Sequence, residues 1–331
     1  MQEKFNFEEN KVIEEINKRN CKKVLLQLPE GIKMEAARLS KLFESKTNAE
    51  VIVSGEPCWG GCDIALDEAR NLKVDLLIHY GHAQFIKADF PILYLELEDK
   101  TDLKELLTKL IPNIKEFKKL GLVSSIQHIN QLENIKSTLE LQNKEIIIPN
   151  KKGYSHYDGH VVGCEYNSLK VIEDKVDAFL VIGNRFHSLG AALSVKKPVF
   201  LIDTYNQEIL DMSKFKDKIL KQRAIAISKV KHARSIGIII GTKPGQIFGN
   251  FKVIKDKFKK LGKEVTVVTM NEITQDKLTN LYNIEAFVEL ACPRIAVEDY
   301  GKYDKPIITF KESLVVLGEL QWEDLLEHGF L

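Results

Sequence analysis

DLLIHYGH (75–82), DAFLVIGN (177–184) and EAFVELAC (285–292) decide the fold. Each opens on an acid, runs through apolar residues and ends on a polar, glycine-bearing or cysteine-bearing tip. Short apolar runs bounded in this way read as strands of a parallel sheet, buried on both faces. The acids stand 102 and then 108 residues apart. Each run is followed by one that opens on proline: PILYLEL from Pro91, PVFLIDTY from Pro198 and PIITF from Pro306, at offsets of 107 and 108 residues. Proline suits the first residue of a strand, where no ladder donor is needed. Upstream of each lie two further runs. The first strands are VLLQLPEG (24–31), GLVSSIQH (121–128) and IGIIIGTKPGQ (236–246); the second are VIVSG (51–55), EIIIPN (145–150) and VTVVTMN (265–271). Generic β-α alternation explains strands every ~25–30 residues. It does not explain matched acids and prolines, which point to a triplication.

Length alone suggests about two domains; the repeat raises this to three. The expected fold class is α/β, with repeats at 1–111, 112–231 and 232–331. Each is a mainly parallel sheet of about four strands flanked by helices, and the three pack around a central site. Helices are expected at 8–19, 33–45, 63–72, 101–110, 130–142, 165–175, 206–223, 247–261 and 312–326.

The 331 residues include 48 Lys and Arg against 47 Asp and Glu, for a net charge of +1. That balance argues against a general nucleic-acid binder. The longest stretch free of Asp, Glu, Lys and Arg is 13 residues, Leu120 to Leu132, too short to span a bilayer, so no membrane association is expected. The start, MQEKFNFEENKV, has no apolar core of a secretory signal. A cytoplasmic, reducing location is expected, where spaced cysteines serve metals or chemistry more often than disulfides.

There are five cysteines. Cys21 ends the first helix and reads as a small buried hydrophobe. The other four follow predicted strands: Cys58 and Cys62 in SGEPCWGGCD (54–63), Cys164 in GHVVGCEYN (159–167) and Cys292 in ELACPRIAVED (289–299). Open α/β sheets gather ligands at that carboxyl edge. Three of the cysteines are expected to open helices, whose N-termini favour thiolate. One cysteine per repeat can converge at a central junction, and three thiolates suit an iron–sulfur cluster or zinc. CxxxC (58–62) lacks the CxxC that completes the usual radical S-adenosylmethionine motif.

The segments LLQLPEGIK (25–33), GEPCWGGCD (55–63), LIHYGHAQF (77–85), IQHINQL (126–132), VVGCEYN (161–167), FHSLGAAL (186–193) and ACPRIAVEDYG (291–301) resemble, in order and over nearly the whole chain, the archaeal diphthamide-synthesis enzymes. The resemblance implies three α/β repeats in a homodimer and a 4Fe-4S cluster held by one cysteine per repeat. Matched by motif, the ligands are Cys62, Cys164 and Cys292, with WGGC (59–62) standing where the family has tyrosine, glycine, alanine, cysteine. Cys58 is then an extra thiol. The implied reaction is transfer of the 3-amino-3-carboxypropyl group of S-adenosylmethionine to a histidine imidazole carbon of elongation factor 2. An electron donor reduces the cluster. One electron breaks the sulfur–Cγ bond, giving an aminocarboxypropyl radical and methylthioadenosine.

Contacts to S-adenosylmethionine are expected from the strand-end loops LPEG and GTKPGQ, through Pro29, Glu30, Gly31, Gly245 and Gln246. His82, Gln127, His128 and His187, also at strand ends, are expected to face the same pocket. His79 shares that placement, and Arg294 can pair with the substrate carboxylate or with Glu298. GTKPGQ lacks the GK[ST] of a P-loop. The competing readings are a non-catalytic small-molecule-binding α/β protein and a zinc-dependent hydrolase with three cysteine ligands.

Overall fold

A computed structural model describes residues 4–298 and 300–330. Three sheets carry the fold. In chain order, the first holds β1 (Lys23–Gln27), β2 (Glu50–Val53), β3 (Leu76–Tyr80) and β4 (Ile92–Leu95). The second holds β5 (Lys119–Ser124), β6 (Glu145–Ile147), β7 (Ala178–Gly183), β8 (Val199–Asp203) and β9 (Glu208–Asp211). The third holds β10 (Ser235–Gly241), β11 (Glu264–Met270), β12 (Ala286–Glu289) and β13 (Ile307–Thr309). The spatial orders are β2-β1-β3-β4, β6-β5-β7-β8-β9 and β11-β10-β12-β13, so the same winding occurs three times. All pairings are parallel except β8 with β9.

The matched acids have a shared physical role. Asp75 Oδ2 accepts the backbone N–H groups of Lys22 and Lys23 at 2.7 and 2.9 Å, and Asp177 Oδ2 accepts those of Lys118 and Lys119 at 2.9 and 2.7 Å. Glu285 accepts from Arg234 N at 2.7 Å. Each acid thus ties the start of the third strand to the start of the first. These N–H groups hold the Asp75 and Asp177 carboxyls below their ordinary range. The matched prolines also act alike: the carbonyls of Pro91, Pro198 and Pro306 accept from Leu77, Phe179 and Phe287 at 3.0, 2.8 and 2.9 Å. A proline there contributes its acceptor and forfeits nothing.

Every residue of β3, β7 and β12 is buried, as central strands covered on both faces require. The registers repeat as well. Gly121 stands beside Phe179 and Gly237 beside Phe287, and in each pair the ring lies over the glycine; the first sheet has Leu25 beside Leu77 there.

Four of the expected helices differ from the structure. Residues 206–223 do not form one helix: β9 pairs antiparallel with β8 and the helix runs Ser213–His232. Asp203 drives the turn, its side chain accepting from the backbone N–H groups of Tyr205 and Asn206 at 3.0 and 2.9 Å. Residues 312–326 divide into helices Phe310–Val316 and Trp322–His328, separated at Gly318, whose φ is +74°. The helices expected at 63–72 and 165–175 are only six residues each, Leu66–Asn71 and Asn167–Ile172.

The second and third sheets share one apolar core. Ile227 and Val230 of helix Ser213–His232 pack with Ile236, Ile238 and Ile254. From that helix the buried Arg223 reaches Glu312 with Nε at 2.7 Å and Nη2 at 2.6 Å, and donates to the carbonyls of Ala296 and Ile307. No helix among the described residues is long and apolar enough to cross a membrane.

Candidate functional site

In each sheet the first strand lies between the second and the third, so the order in which strands are added switches sides of the first strand while all three stay parallel. Open α/β sheets gather their ligands at the carboxyl end of such a switch point. The loops bearing the cysteines and the strand-end histidines all leave from these edges, and they meet.

Third-sheet loop 241–246 lies on the loop that carries Cys62. Gly245 N donates to the Cys62 carbonyl at 2.8 Å, and the Gln246 amide donates to Cys62 Sγ at 3.5 Å. The approach is so close that a Cβ on Gly245 would lie 2.6 Å from both Cα and Cβ of Cys62. Beside it, buried Lys243 donates to Asp63 Oδ2 at 2.6 Å and also pairs with Glu272. Asp63 Oδ2 accepts from Trp59 N, and Glu272 accepts from the Trp59 indole at 3.2 Å. An ion triad therefore clamps the first unit to the third around Cys62.

The other two junctions are closed in the same manner. Between the first and second units, the Gln127 amide donates to the Gly81 carbonyl at 2.7 Å, and Asp99 N donates to the Gln127 carbonyl at 2.9 Å. Phe85 stacks on Tyr154 with ring centroids 4.2 Å apart. Between the second and third, Arg294 donates to the Phe186 carbonyl at 2.6 Å and covers the Phe186 ring at 4.1 Å. That ring packs directly on the backbone of Gly163, next to Cys164, where no side chain could fit. Arg294 also pairs with Glu298, one of the two partners expected for it. Asp299 of the ACPRIAVEDYG segment lies outside the described residues.

Cys62, Cys164 and Cys292, one per sheet, are brought together and are partly buried. Burial pushes all three thiols up, Cys164 to about 12. Charge on Cys62 opposes ionisation of Cys164, and charge on either opposes that of Cys292. The expected helix-start stabilisation of thiolate is not what dominates. The helices after Cys62 and Cys164 begin at Leu66 and Asn167, and only Cys292 is followed at once by a helix, Pro293–Glu298. Desolvation outweighs a short, distant dipole, so any metal held by these thiols has to displace their protons.

The donor set, three cysteine sulfurs, fits an iron–sulfur cluster. A tetrahedral ion holds its sulfurs about 3.8 Å apart. Among the described residues, the three cysteine sulfurs do not form a group within 4.8 Å of one another; the group that does is Cys58, His79 and His82. The sulfurs of Cys62, Cys164 and Cys292 are near enough for the charge on one to oppose ionisation of another.

The nine residues expected to contact S-adenosylmethionine divide. Glu30 and Gly31 are exposed, with Glu30 bonded to Lys33 at 2.6 Å, while Pro29 is half-buried under Gly81. Lys33 also donates to the carbonyls of Gly55 and Glu56, holding the Cys58 loop. His128 is buried, its Nε2 3.2 Å from Thr204 Oγ1. His187 Nδ1 is 2.9 Å from Asn184 Oδ1. Burial holds His82 and His187 neutral, down to about 4 and about 3. Gly245 and Gln246 lie on Cys62.

Several site residues escaped the sequence reading. Lys243 was in a quoted loop but gave no sign of its partners, which are 180 and 29 residues away. Glu289, fully buried, accepts from Ala291 N and Cys292 N at 2.9 Å each and so shapes the Cys292 turn, while burial pushes its carboxyl up to about 7. Gln27 and Phe186 likewise stood in quoted segments without a signal for the contacts they make.

Comparison with known proteins places the chain. The model of a family described as "Putative diphthamide synthesis protein" matches residues 28–326. A 2-(3-amino-3-carboxypropyl)histidine synthase of Pyrococcus horikoshii is 33% identical, over 96% of this chain and 93% of that one. Subunit 1 of the synthase of that name in Schizosaccharomyces pombe is 31% identical, over 98% of this chain and 77% of that one. The crystal structure of Dph2 from Pyrococcus horikoshii with a 4Fe-4S cluster superposes with a TM-score of 0.87 at 30% identity, covering 98% of this chain and 94% of that one.

Proposed function

The chain belongs to the diphthamide synthesis protein family, and from that membership we propose that it transfers the 3-amino-3-carboxypropyl group of S-adenosylmethionine to a histidine of elongation factor 2. One observation carries the reading: the ends of three equivalent sheets each deliver one cysteine to a common junction, in a family with a cluster-bearing member. Cys62, Cys164 and Cys292 would hold a 4Fe-4S cluster as thiolates. Three thiolates leave one iron without a protein sulfur. When bound, such a cluster supplies the electron that breaks the sulfur–Cγ bond of S-adenosylmethionine, releasing methylthioadenosine and an aminocarboxypropyl radical that adds to an imidazole carbon.

The chain's own residues position and shield. Gly245 and Gln246 fix Cys62, Glu289 fixes Cys292, and Phe186 covers the turn beside Cys164. His187, held neutral, presents an uncharged ring to a cationic sulfonium and so avoids repelling it. Pro29, Glu30 and Gly31 form the exposed rim, where the Glu30 carboxylate suits the substrate's ammonium. Gln127 spends its amide on the Gly81 carbonyl and so holds the junction, while His128 Nε2 lies 3.2 Å from Thr204 Oγ1 within the second unit. The reading includes repeats at 1–111, 112–231 and 232–331, a homodimer, an external electron donor and a cytoplasmic setting.

The test is anaerobic incubation of the reduced, iron-loaded protein with S-adenosylmethionine and elongation factor 2. Methylthioadenosine, and a factor heavier by one aminocarboxypropyl group, are expected. 5′-Deoxyadenosine as the product would overturn the radical assignment.

A further inference from the structure

The proposed cluster leaves Cys58 without a role, yet Cys58 is buried beside two histidines. Its sulfur, a ring nitrogen of His79 and a ring nitrogen of His82 lie within 4.8 Å of one another. We propose that Cys58, His79 and His82 form a second metal site, which takes a single zinc-like divalent ion and is separate from the site of Cys62, Cys164 and Cys292.

The donor chemistry sets the class of ion. One thiolate with two imidazoles is a borderline-soft set that suits zinc or cobalt(II) and disfavours magnesium or calcium. The spacing is also right. His79 Nε2 and His82 Nδ1 are 3.1 Å apart, against about 3.3 Å for two nitrogens on a tetrahedral zinc. A sulfur and a nitrogen on that ion sit about 3.5 Å apart, so the Cys58 loop needs to close by an ångström or so at most.

The surrounding side chains already fix the orientation of these donors. Gln27 Oε1 lies 2.9 Å from His79 Nδ1. Its amide is locked the right way round, because Nε2 donates to the Asp63 carbonyl at 2.7 Å and Oε1 accepts from Ala65 N at 3.1 Å. Oε1 can then only accept from His79, which puts the proton on Nδ1 and leaves Nε2 a free lone pair aimed at His82. An outer hydrogen bond of this kind fixes tautomer and ring orientation in metal-bound histidines. Cys58 and His79 are 3% and 0% exposed, so this is no casual surface cluster.

The protons balance. In the metal-free site His82 Nδ1–H donates to His79 Nε2. On binding, that proton moves to His82 Nε2, the Cys58 thiol proton leaves to solvent, and His79 keeps its own. Burial favours the neutral imidazoles that binding requires and opposes the bare thiolate, so the ion supplies the charge that stabilises Cys58. Three ligands leave a fourth position open. The consequence for the fold is a tie between the 54–62 loop and the end of β3, four residues before Cys62.

The test uses the full chain. Iron-loaded wild type, incubated with zinc and desalted, is expected to hold one zinc besides its iron, and Cys58→Ala to keep the iron and lose the zinc. A second measurement isolates the site: the Cys62→Ser/Cys164→Ser/Cys292→Ser chain, titrated with cobalt(II), is expected to develop the thiolate charge-transfer and tetrahedral d–d absorption of one ion. Adding His82→Ala should abolish that spectrum, and adding Gln27→Leu should weaken cobalt affinity 10- to 100-fold. Iron-loaded wild type that retains no zinc, or a cobalt spectrum unchanged by Cys58→Ala, overturns the proposal. Wild type that takes up zinc but no iron would instead defeat the cluster reading and leave this site standing.

Discussion

Gly245→Ala is the sharpest perturbation of the junction. The added methyl would lie 2.6 Å from Cα and Cβ of Cys62. Carbon atoms prefer about 3.5–4.0 Å, so the two loops must part by about 1 Å. Neither side can swing away, because the clash is with backbone and Cβ and because Gly245 N is bonded to the Cys62 carbonyl at 2.8 Å. Overpacking of this kind costs about 1–3 kcal/mol, and loss of that hydrogen bond adds about 1 kcal/mol. A metal-ligand constellation tolerates displacement of only about 0.5 Å, so iron binding should suffer more than folding. The assay is iron per chain after anaerobic reconstitution, read beside the urea midpoint. Gly245→Ala should lose about 2–4 kcal/mol and most of its iron. Gly31→Ala, with nothing within 4 Å of its Cβ, should stay within about 0.5 kcal/mol of wild type and load fully. Full iron and unchanged stability in Gly245→Ala would refute the claim that the third-sheet loop sets the position of Cys62.

Two further predictions concern buried charge and protonation. Arg223→Met strands the Glu312 carboxylate, which is wholly buried, and should cost about 3–5 kcal/mol in urea unfolding, with Arg223→Met/Glu312→Leu recovering most of it; a double variant no better than the single one would contradict this. His160 is held neutral by burial, down to about 4. Its folded pKa lies below the unfolded value of about 6.5, so the unfolded chain binds more protons between those values, and stability falls as pH drops from about 6.5 to about 4. The share of this one group is about 3 kcal/mol. In His160→Asn, whose Oδ1 can replace the acceptor of His156 N, the slope of unfolding free energy against pH should flatten in that window; an unchanged slope would remove His160 from the account.

The triplication was legible because it rests on local requirements that recur. Asp75, Asp177 and Glu285 each cap the start of a first strand, and Pro91, Pro198 and Pro306 each supply a carbonyl where no N–H is wanted. Such demands fix residue type at a fixed place, so they survive in the pattern when the rest of the sequence drifts. Strand β9 was hidden because ILD and its flanks match a helix start as well as a short edge strand. The Asp203 turn and the pairing with β8 decide between them. Cys62, Cys164 and Cys292 could be placed at strand ends by periodicity, but choosing Cys62 over Cys58 took the family motif. The clamps were illegible for another reason. Lys243 with Asp63, Arg294 with the Phe186 carbonyl, and Gln127 with the Gly81 carbonyl join residues 180, 108 and 46 positions apart, and periodicity carries no information about which loops meet across units.

The central claim is that three sheets each give one sulfur to one cluster. Anaerobic reconstitution of wild type, Cys58→Ala, Cys62→Ala, Cys164→Ala and Cys292→Ala, followed by iron analysis and the visible charge-transfer spectrum, tests it directly. Wild type and Cys58→Ala should be brown with about four irons per chain, and each of the other three should lose the spectrum. A colourless wild type, or a Cys62→Ala protein that keeps its cluster while Cys58→Ala does not, would contradict the account.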